Sequence, residues 1–126
     1  MTPVKLLLVE DNDSFRETLE LLFGLRSDVE VVGSLGDGAR AADACRELAP
    51  DVVVLDYRLP GLDSVDVART LRETCPGVAV VCLTGAVSEG EIAELQSAGV
   101  AATLMKDAPL DAIVDALHRA AGRIAV

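Results

Sequence analysis

Aromatic residues are almost absent from this chain. Among 126 residues it has no tryptophan, one tyrosine and two phenylalanines, although 51% of its residues are hydrophobic. Its core must therefore be built from valine, leucine, isoleucine and alanine. No apolar run approaches the length of a membrane span, and the first residues lack the basic start, apolar stretch and cleavage site of a signal peptide. The sequence thus predicts one cytoplasmic domain of ordinary size without membrane contact.

Basic residues and cysteines are also scarce. Eleven Lys and Arg residues stand against 21 Asp and Glu residues, which gives a formal net charge of −10. This charge argues against direct nucleic-acid binding, because phosphate backbones select basic surfaces, and a solubilising role is the simpler interpretation. Cys45, Cys75 and Cys82 have no metal-binding spacing and cannot all pair. We predict that they are reduced, structural thiols.

Apolar runs of strand length alternate with segments of helical periodicity along the whole chain. In the clearest run, residues 52–55 are all apolar, Asp56 follows and Pro60 and Gly61 form a stop, which predicts a strand buried on both faces. Further strands are predicted at 4–9, 29–34, 78–83 and 100–105, and helices around 15–23, 39–49, 62–74, 89–98 and 110–117. The alternation predicts a single α/β domain over residues 1–126. Its five-stranded parallel sheet carries helices on both faces, joined by right-handed crossovers.

Two of the predicted helices begin with capping signals. Asp11, Asn12 and Asp13 are all suited to cap the first helix. Ser88, followed three residues later by Glu91, fits a capping box for the fourth. The pattern locates both helix starts but leaves the first capping residue open.

Chemically useful side chains stand where the strands end. Glu10 and Asp11 follow the first strand, Asp56 ends the third, Thr84 follows the fourth and Lys106 follows the fifth. Because the carboxyl ends of parallel strands share one edge of the sheet, these residues are expected to converge. Crowded carboxylates resist ionising, and an oxygen-only set of this kind suits Mg²⁺. The ammonium and hydroxyl are suited to bind a phosphoryl group held at a nucleophilic aspartate.

These residues lie in segments that resemble the receiver domain of two-component response regulators over nearly the whole chain. The segments are LLLVEDN with Glu10 and Asp11, VVVLDYRLPGLD with Asp56, VVCLTG with Thr84, and GVAATLMKDA with Lys106. Each is weak alone, but their order and their positions at strand ends make the set specific. The resemblance implies the flavodoxin-like (βα)5 receiver fold.

The resemblance also implies a function and a metal cofactor. Asp56 is expected to accept a phosphoryl group from the phosphohistidine of a sensor histidine kinase, with Thr84 and Lys106 binding the phosphoryl oxygens. Such a switch catalyses its own phosphoryl transfer and dephosphorylation without being a metabolic enzyme. The implied Mg²⁺ ligands are Asp11, Asp56, the backbone carbonyl of Arg58 and, through water, Glu10.

The resemblance further suggests how a signal leaves the domain. In the family the threonine moves toward the phosphate, and the surface of the fourth helix, fifth strand and fifth helix rearranges. Homodimerisation on phosphorylation is left open, with the exposed faces of the last two helices as its candidate surfaces. The LMKDA ending is most similar to the NarL/LuxR-type branch, whose members bind DNA through a C-terminal helix-turn-helix. The sequence contains no such output domain, so we expect a truncated chain or a stand-alone receiver.

One position departs from the family pattern. Thr103 stands three residues before Lys106, where the family usually has the Tyr or Phe that swings inward, and the only tyrosine is Tyr57, beside Asp56. Signalling through that aromatic is therefore in doubt, although no phosphoryl-binding residue is missing. Arg58 and Ala86 flank the path of an attacking water in the family, and we predict that they tune the lifetime of the aspartyl-phosphate.

Other interpretations remain open. A haloacid-dehalogenase-type phosphatase also uses a strand-end Asp and Mg²⁺, but it needs a second acid where this chain has Arg58. A pseudo-receiver that acts as a phosphorylation-independent interaction module is the main alternative, because of Thr103. A flavodoxin-like cofactor binder would need a phosphate-binding loop after the first strand. Lys106 could serve only as an ion-pair partner, and His118 is predicted to be a helix residue without a phosphotransfer role.

Overall fold

Strands and helices alternate in the computed structural model, which describes residues 2–59 and 62–122. The elements are β1 Val4–Val9, α1 Asp13–Gly24, β2 Val29–Leu35, α2 Ala41–Leu48, β3 Val52–Asp56, α3 Ser64–Thr74, β4 Ala79–Thr84, α4 Glu89–Ser97, β5 Ala102–Met105 and α5 Leu110–Ala120. A short 3₁₀ turn, Gly38–Arg40, precedes α2. The predicted α/β alternation is confirmed.

The five strands form one parallel sheet in the order β2-β1-β3-β4-β5. The chain first moves outward from β1 to β2 and then crosses to β3 and onward, so the direction reverses between β1 and β3. In open α/β sheets a ligand-binding crevice lies at such a reversal, outside the carboxyl ends of the strands. Glu10 and Asp11, which follow β1, and Asp56, which ends β3, therefore lie at the expected position of a ligand-binding crevice.

Helices cover both faces of the sheet, as predicted. Val53 and Leu55 of β3 pack in the cluster that contains the buried residues of α2, α3 and α4. Val52 and Val54 pack on the other face in the cluster that contains those of α1 and α5. Every residue of β3 is buried, which explains why its sequence is a continuous apolar run rather than an alternating one.

Capping residues set several boundaries. Asn12, one of the three candidates, caps α1 by accepting a hydrogen bond from the Phe15 backbone N–H at 2.8 Å. The third helix was predicted to begin at 62, but it begins at Ser64 because the Asp63 side chain accepts the Val65 N–H at 2.9 Å. The predicted stop at 60–61 and the segment after 122 lie outside the described residues.

The cysteines and the described helices agree with the expectations from composition. All three cysteines are free and buried, and burial raises the pKa of the Cys82 thiol to about 12. These thiols therefore act as small apolar side chains in the core. Among the described residues, every helix is too short or too polar to cross a bilayer.

Candidate functional site

The ends of three strands bring the predicted acids and the predicted lysine together. Glu10, Asp11 and Asp56 each place a carboxylate oxygen within 4.8 Å of the others. The Lys106 ammonium lies 2.6 Å from Glu10 Oε1 and 3.4 Å from Asp56 Oδ1. Because β1 and β3 are neighbours and β5 ends at the same edge, residues up to 96 positions apart in sequence meet here.

Burial raises the cost of ionising the acids of this cluster. Glu10 and Asp56 are only 2% and 3% exposed. Burial, reinforced by the hydrogen bond and charge of Glu10, raises the pKa of Asp56, while the Arg58 backbone N–H opposes the rise. The partly exposed Asp11 also has a raised pKa, through desolvation and then through Asp56. A cation beside these acids would relieve their repulsion.

Lys106 supplies one cation to the cluster. Burial by itself lowers the pKa of its ammonium, but the hydrogen bond with Glu10 and the charge of Asp56 outweigh it, so the pKa is raised and the group stays charged. The ammonium also lies 4.9 Å from the centroid of the Phe15 ring, a cation–π distance. Lys106 is therefore held between two carboxylates and an aromatic face.

The loop after β3 is fixed from both sides of Asp56. The Arg58 N–H donates to Asp56 Oδ1 at 3.0 Å. The buried Ser64 hydroxyl donates to the Asp56 carbonyl at 3.0 Å and also contacts the Tyr57 carbonyl. Sequence reasoning missed Ser64, which lies two residues after the predicted start of α3 and has no other signal in the sequence. The Arg58 N–H thus holds the Asp56 carboxylate, and Ser64 holds the backbone that carries it.

Thr84 is fully buried at the end of β4, and in this state its hydroxyl bonds within its own loop. The hydroxyl donates to the Ala86 carbonyl at 2.8 Å, and the Ala86 N–H donates to the Thr84 hydroxyl oxygen at 3.3 Å. The Lys106 N–H donates to the Thr84 carbonyl at 2.8 Å, so the ends of β4 and β5 are tied together. The phosphoryl-binding role of Thr84 stays a prediction.

Two further contacts were not foreseen from the sequence. Arg16 of α1 donates to the Glu10 carbonyl at 2.8 Å and so supports the loop that carries the acids. The Tyr57 hydroxyl donates to Glu91 Oε2 at 2.7 Å and links the loop after β3 to α4. Neither pairing follows from local sequence spacing.

The remaining sequence candidates lie away from the acids. His118 is in the last turn of α5, 3.1 Å from Asp28 Oδ2, and α5 runs back from the carboxyl edge of the sheet toward the opposite edge. Thr103 is half-buried on β5, in register with Cys82. The carbonyl direction of Arg58 and its metal role stay a prediction.

The sequence is similar to one known family along most of its length. Residues 6–118 match the family described as the response regulator receiver domain. Over 114 residues the chain is 32% identical to the transcriptional regulatory protein LnrK of Bacillus subtilis, and this match covers 90% of the chain and 52% of LnrK. The chain spans about half the length of the curated relatives it matches.

Solved structures of receiver domains also superpose closely on this chain. The signal receiver domain of NarL from Mycobacterium tuberculosis superposes with a TM-score of 0.90 at 30% identity, covering 97% of this chain and 98% of that one. A LuxR-family two-component response regulator from Aurantimonas sp. SI85-9A1 superposes with a TM-score of 0.89 at 26% identity, covering 99% and 90%. The likeness to the NarL/LuxR-type branch and the receiver fold are confirmed.

Proposed function

The chain belongs to the response regulator receiver domain family, and from this membership we propose that it is a phosphorylation-dependent switch in which Asp56 accepts a phosphoryl group from a sensor histidine kinase. The observation that carries the proposal is the buried Asp56 carboxylate beside the Lys106 ammonium, with Glu10 and Asp11 within 4.8 Å. A purely structural ion pair would not need two further acids at the same point. The matching family is one of receiver domains, not of metabolic enzymes.

The acidic cluster fits a Mg²⁺ ion. Glu10, Asp11 and Asp56 offer carboxylate oxygens alone, the hard ligands that Mg²⁺ prefers. Burial, and after it the neighbouring carboxylates, raise the pKa of Asp56 and of Asp11, so a cation bound beside these acids would favour their charged forms. We propose that these acids and the Arg58 carbonyl hold the ion, with Glu10 acting through water. When bound, Mg²⁺ supplies positive charge that offsets the charge of the acids and of the phosphoryl oxygens.

The residues of the chain divide the transfer between them. An ionised Asp56 oxygen attacks phosphorus, forming an O–P bond while the N–P bond to the kinase histidine breaks and the imidazole nitrogen leaves with the electron pair. Lys106 keeps its proton and pairs its charge with a phosphoryl oxygen. The Thr84 hydroxyl leaves the Ala86 carbonyl and donates to a second phosphoryl oxygen. Arg58 and Ala86 border the approach of water and set how long the acyl phosphate survives.

The output is proposed from the relatives. Movement of Thr84 is expected to alter the surface formed by α4, β5 and α5, with homodimerisation as one consequence. Control of transcription is supported by the NarL/LuxR likeness and by the name of LnrK. We propose that residues 1–126 are the receiver alone, and that DNA is bound through a helix-turn-helix domain outside this chain. The phosphohistidine of a sensor kinase is presented in the cytoplasm, which makes the cytoplasm the proposed location.

Intact-mass spectrometry tests phosphoryl acceptance directly. The chain is incubated with Mg²⁺ and acetyl phosphate, and the wild type is compared with Asp56→Asn and with Asp115→Asn, an exposed aspartate on α5. One phosphoryl adduct is expected in the wild type and in Asp115→Asn, and none in Asp56→Asn. Adducts of equal yield in all three would refute Asp56 as the acceptor, and multiple turnover of small phosphate esters would favour a phosphatase.

A pseudo-receiver is the second candidate, favoured by the half-buried Thr103 at the usual aromatic position. In that case the fold would present the α4–β5–α5 surface without chemistry at Asp56. The same incubation distinguishes it, because a pseudo-receiver would form no adduct and its chemical shifts would not respond to Mg²⁺ or beryllofluoride.

A further inference from the structure

The first turn of α4 is tied to the loop that follows Asp56. The Tyr57 hydroxyl donates to Glu91 Oε2 at 2.7 Å. The other oxygen, Glu91 Oε1, accepts the Ser88 N–H at 2.9 Å as part of the capping box. Glu91 therefore has one oxygen on the helix cap and one on the neighbour of Asp56, and it joins two segments separated by 34 positions in sequence.

Arg58 makes a second tie between the same two loops. Its guanidinium donates to the Ala86 carbonyl at 3.2 Å and lies 3.9 Å from Glu91 Oε2. The same Ala86 carbonyl accepts the Thr84 hydroxyl at 2.8 Å. A displacement of Thr84 therefore acts on an oxygen that Arg58 also holds.

These polar contacts matter more for α4 than they would for the other helices. Leu95 is the buried residue of α4, whereas α3 buries four residues and α5 buries three. Since apolar burial is the main force that fixes a helix on a sheet, α4 has little of it. An element held by few buried contacts is the one that responds most readily to a local change.

We propose that Tyr57 and Glu91 form a latch that holds α4 in its unphosphorylated position and that opens when Asp56 accepts a phosphoryl group. The opening rests on the proposed function. Phosphorylation adds a charge of about −1.5 to −2 beside Arg58. This charge attracts the Arg58 guanidinium away from Glu91, while the Thr84 hydroxyl leaves the Ala86 carbonyl. Tyr57 thus provides the aromatic link between site and output surface that Thr103 lacks, and it is a positioning residue.

The ionisation states agree with a stable latch. The hydrogen bond to Glu91, together with burial, raises the pKa of Tyr57 to about 12, so the phenol keeps the proton that it donates. The same bond lowers the pKa of Glu91, so its carboxylate is charged at neutral pH. The contact is a charge-assisted hydrogen bond, which is stronger than one between neutral groups.

Tyrosine fluorescence reports the latch without any label. Tyr57 is the only tyrosine and the chain has no tryptophan, and a carboxylate that accepts the phenol hydrogen bond quenches tyrosine emission. Glu91→Gln, which keeps an oxygen for the Ser88 N–H, is expected to raise the emission. Glu89→Gln is the matched control, because it removes the same charge from the same turn of α4 and is expected to leave the emission unchanged.

Hydrogen exchange adds a readout on α4 itself. In Tyr57→Phe the backbone amides of Ile92 to Leu95 are expected to exchange about ten-fold faster than in the wild type, the factor that a hydrogen bond to a charged group supplies. Amides of α3 serve as the internal reference and are expected to stay unchanged. A structural role of the ring alone would be retained in Tyr57→Phe and would leave the exchange of α4 unaltered.

Activation then tests the opening. Beryllofluoride with Mg²⁺ is expected to raise the emission of the wild type toward that of Glu91→Gln and to leave that variant unchanged. The proposal is overturned if Glu91→Gln emits like the wild type, or if ¹⁹F NMR shows bound beryllofluoride while the wild-type emission stays constant. Failure to bind beryllofluoride would instead refute the proposed function and the opening, while the variant comparison would still decide whether the closed latch exists.

Discussion

Replacing Asp56 by asparagine is expected to stabilise the metal-free protein while it abolishes phosphorylation. The three acids place oxygens within 4.8 Å of one another, and at that distance two like charges repel by about 3.5 kcal/mol at an effective dielectric constant of about 20. Asp56 has two such neighbours, Glu10 and Asp11. The attraction between the Lys106 ammonium and Asp56 Oδ1 at 3.4 Å offsets about 5 kcal/mol of this repulsion at the same dielectric constant.

The net balance therefore disfavours the Asp56 charge by about 2 kcal/mol, and screening at the partly exposed Asp11 reduces this to about 1–2 kcal/mol. Lys106 keeps Glu10 as its partner at 2.6 Å in the variant, so no buried cation is left unpaired. For a domain of this size such a gain corresponds to a rise in Tm of about 5 °C.

Thermal unfolding followed by circular dichroism, in buffer with EDTA, measures this directly. Asp115→Asn, an exposed substitution with the same change in net charge, is expected to shift the Tm by less than about 2 °C. Added Mg²⁺ is expected to raise the Tm of the wild type more than that of Asp56→Asn, because ligand binding stabilises the form that binds it. A Tm of Asp56→Asn at or below the wild type without metal would refute the electrostatic reasoning.

Three further outcomes are expected. Phe23→Ala, at a side chain with no exposure, should cost about 3–5 kcal/mol in urea unfolding, and a loss below about 1 kcal/mol would contradict its place in the core. Hydrogen bonds from Arg26 hold the pKa of Asp28 at about 2, below its ordinary value of 3.8. The ionised Asp28 therefore contributes about 1–2 kcal/mol to the free energy of unfolding above pH 3.8, and this contribution is lost as the pH falls toward 2. The stability difference between wild type and Asp28→Asn should therefore close over that range, and a constant difference would exclude this ionisation as its origin. Arg58→Ala should shorten the aspartyl-phosphate lifetime several-fold in a dephosphorylation assay, since water gains access to the phosphoryl group, and an unchanged rate would remove Arg58 from that role.

Much of the fold could be predicted because its signals are local. A run of four apolar residues at 52–55 indicates a strand buried on both faces, and periodic apolar residues indicate helices that cover the sheet. The Ser88 and Glu91 capping box was predicted and is present. The start of α3 was placed two residues early, because the pattern marked the apolar Leu62 and overlooked the capping Asp63.

The candidate site could be predicted in outline for a different reason. Parallel strands place their carboxyl ends along one edge, so Glu10, Asp11, Asp56 and Lys106 were expected to converge, and the strand order of the fold brings them together. Their closeness is now seen, while phosphorylation and metal binding stay predictions. The family resemblance supplied roles that spacing alone does not.

By itself, the sequence determined which segments are strands and helices and which acids and lysine stand at the strand ends, since periodicity, caps and turn residues act over a few positions. The tertiary structure alone decided that Lys106 lies closer to Glu10 than to Asp56 and that Tyr57 reaches Glu91. Such contacts depend on how α4 and the strand ends pack in three dimensions. That packing balances burial, charge and hydrogen bonding across the whole domain, which no short stretch of sequence encodes.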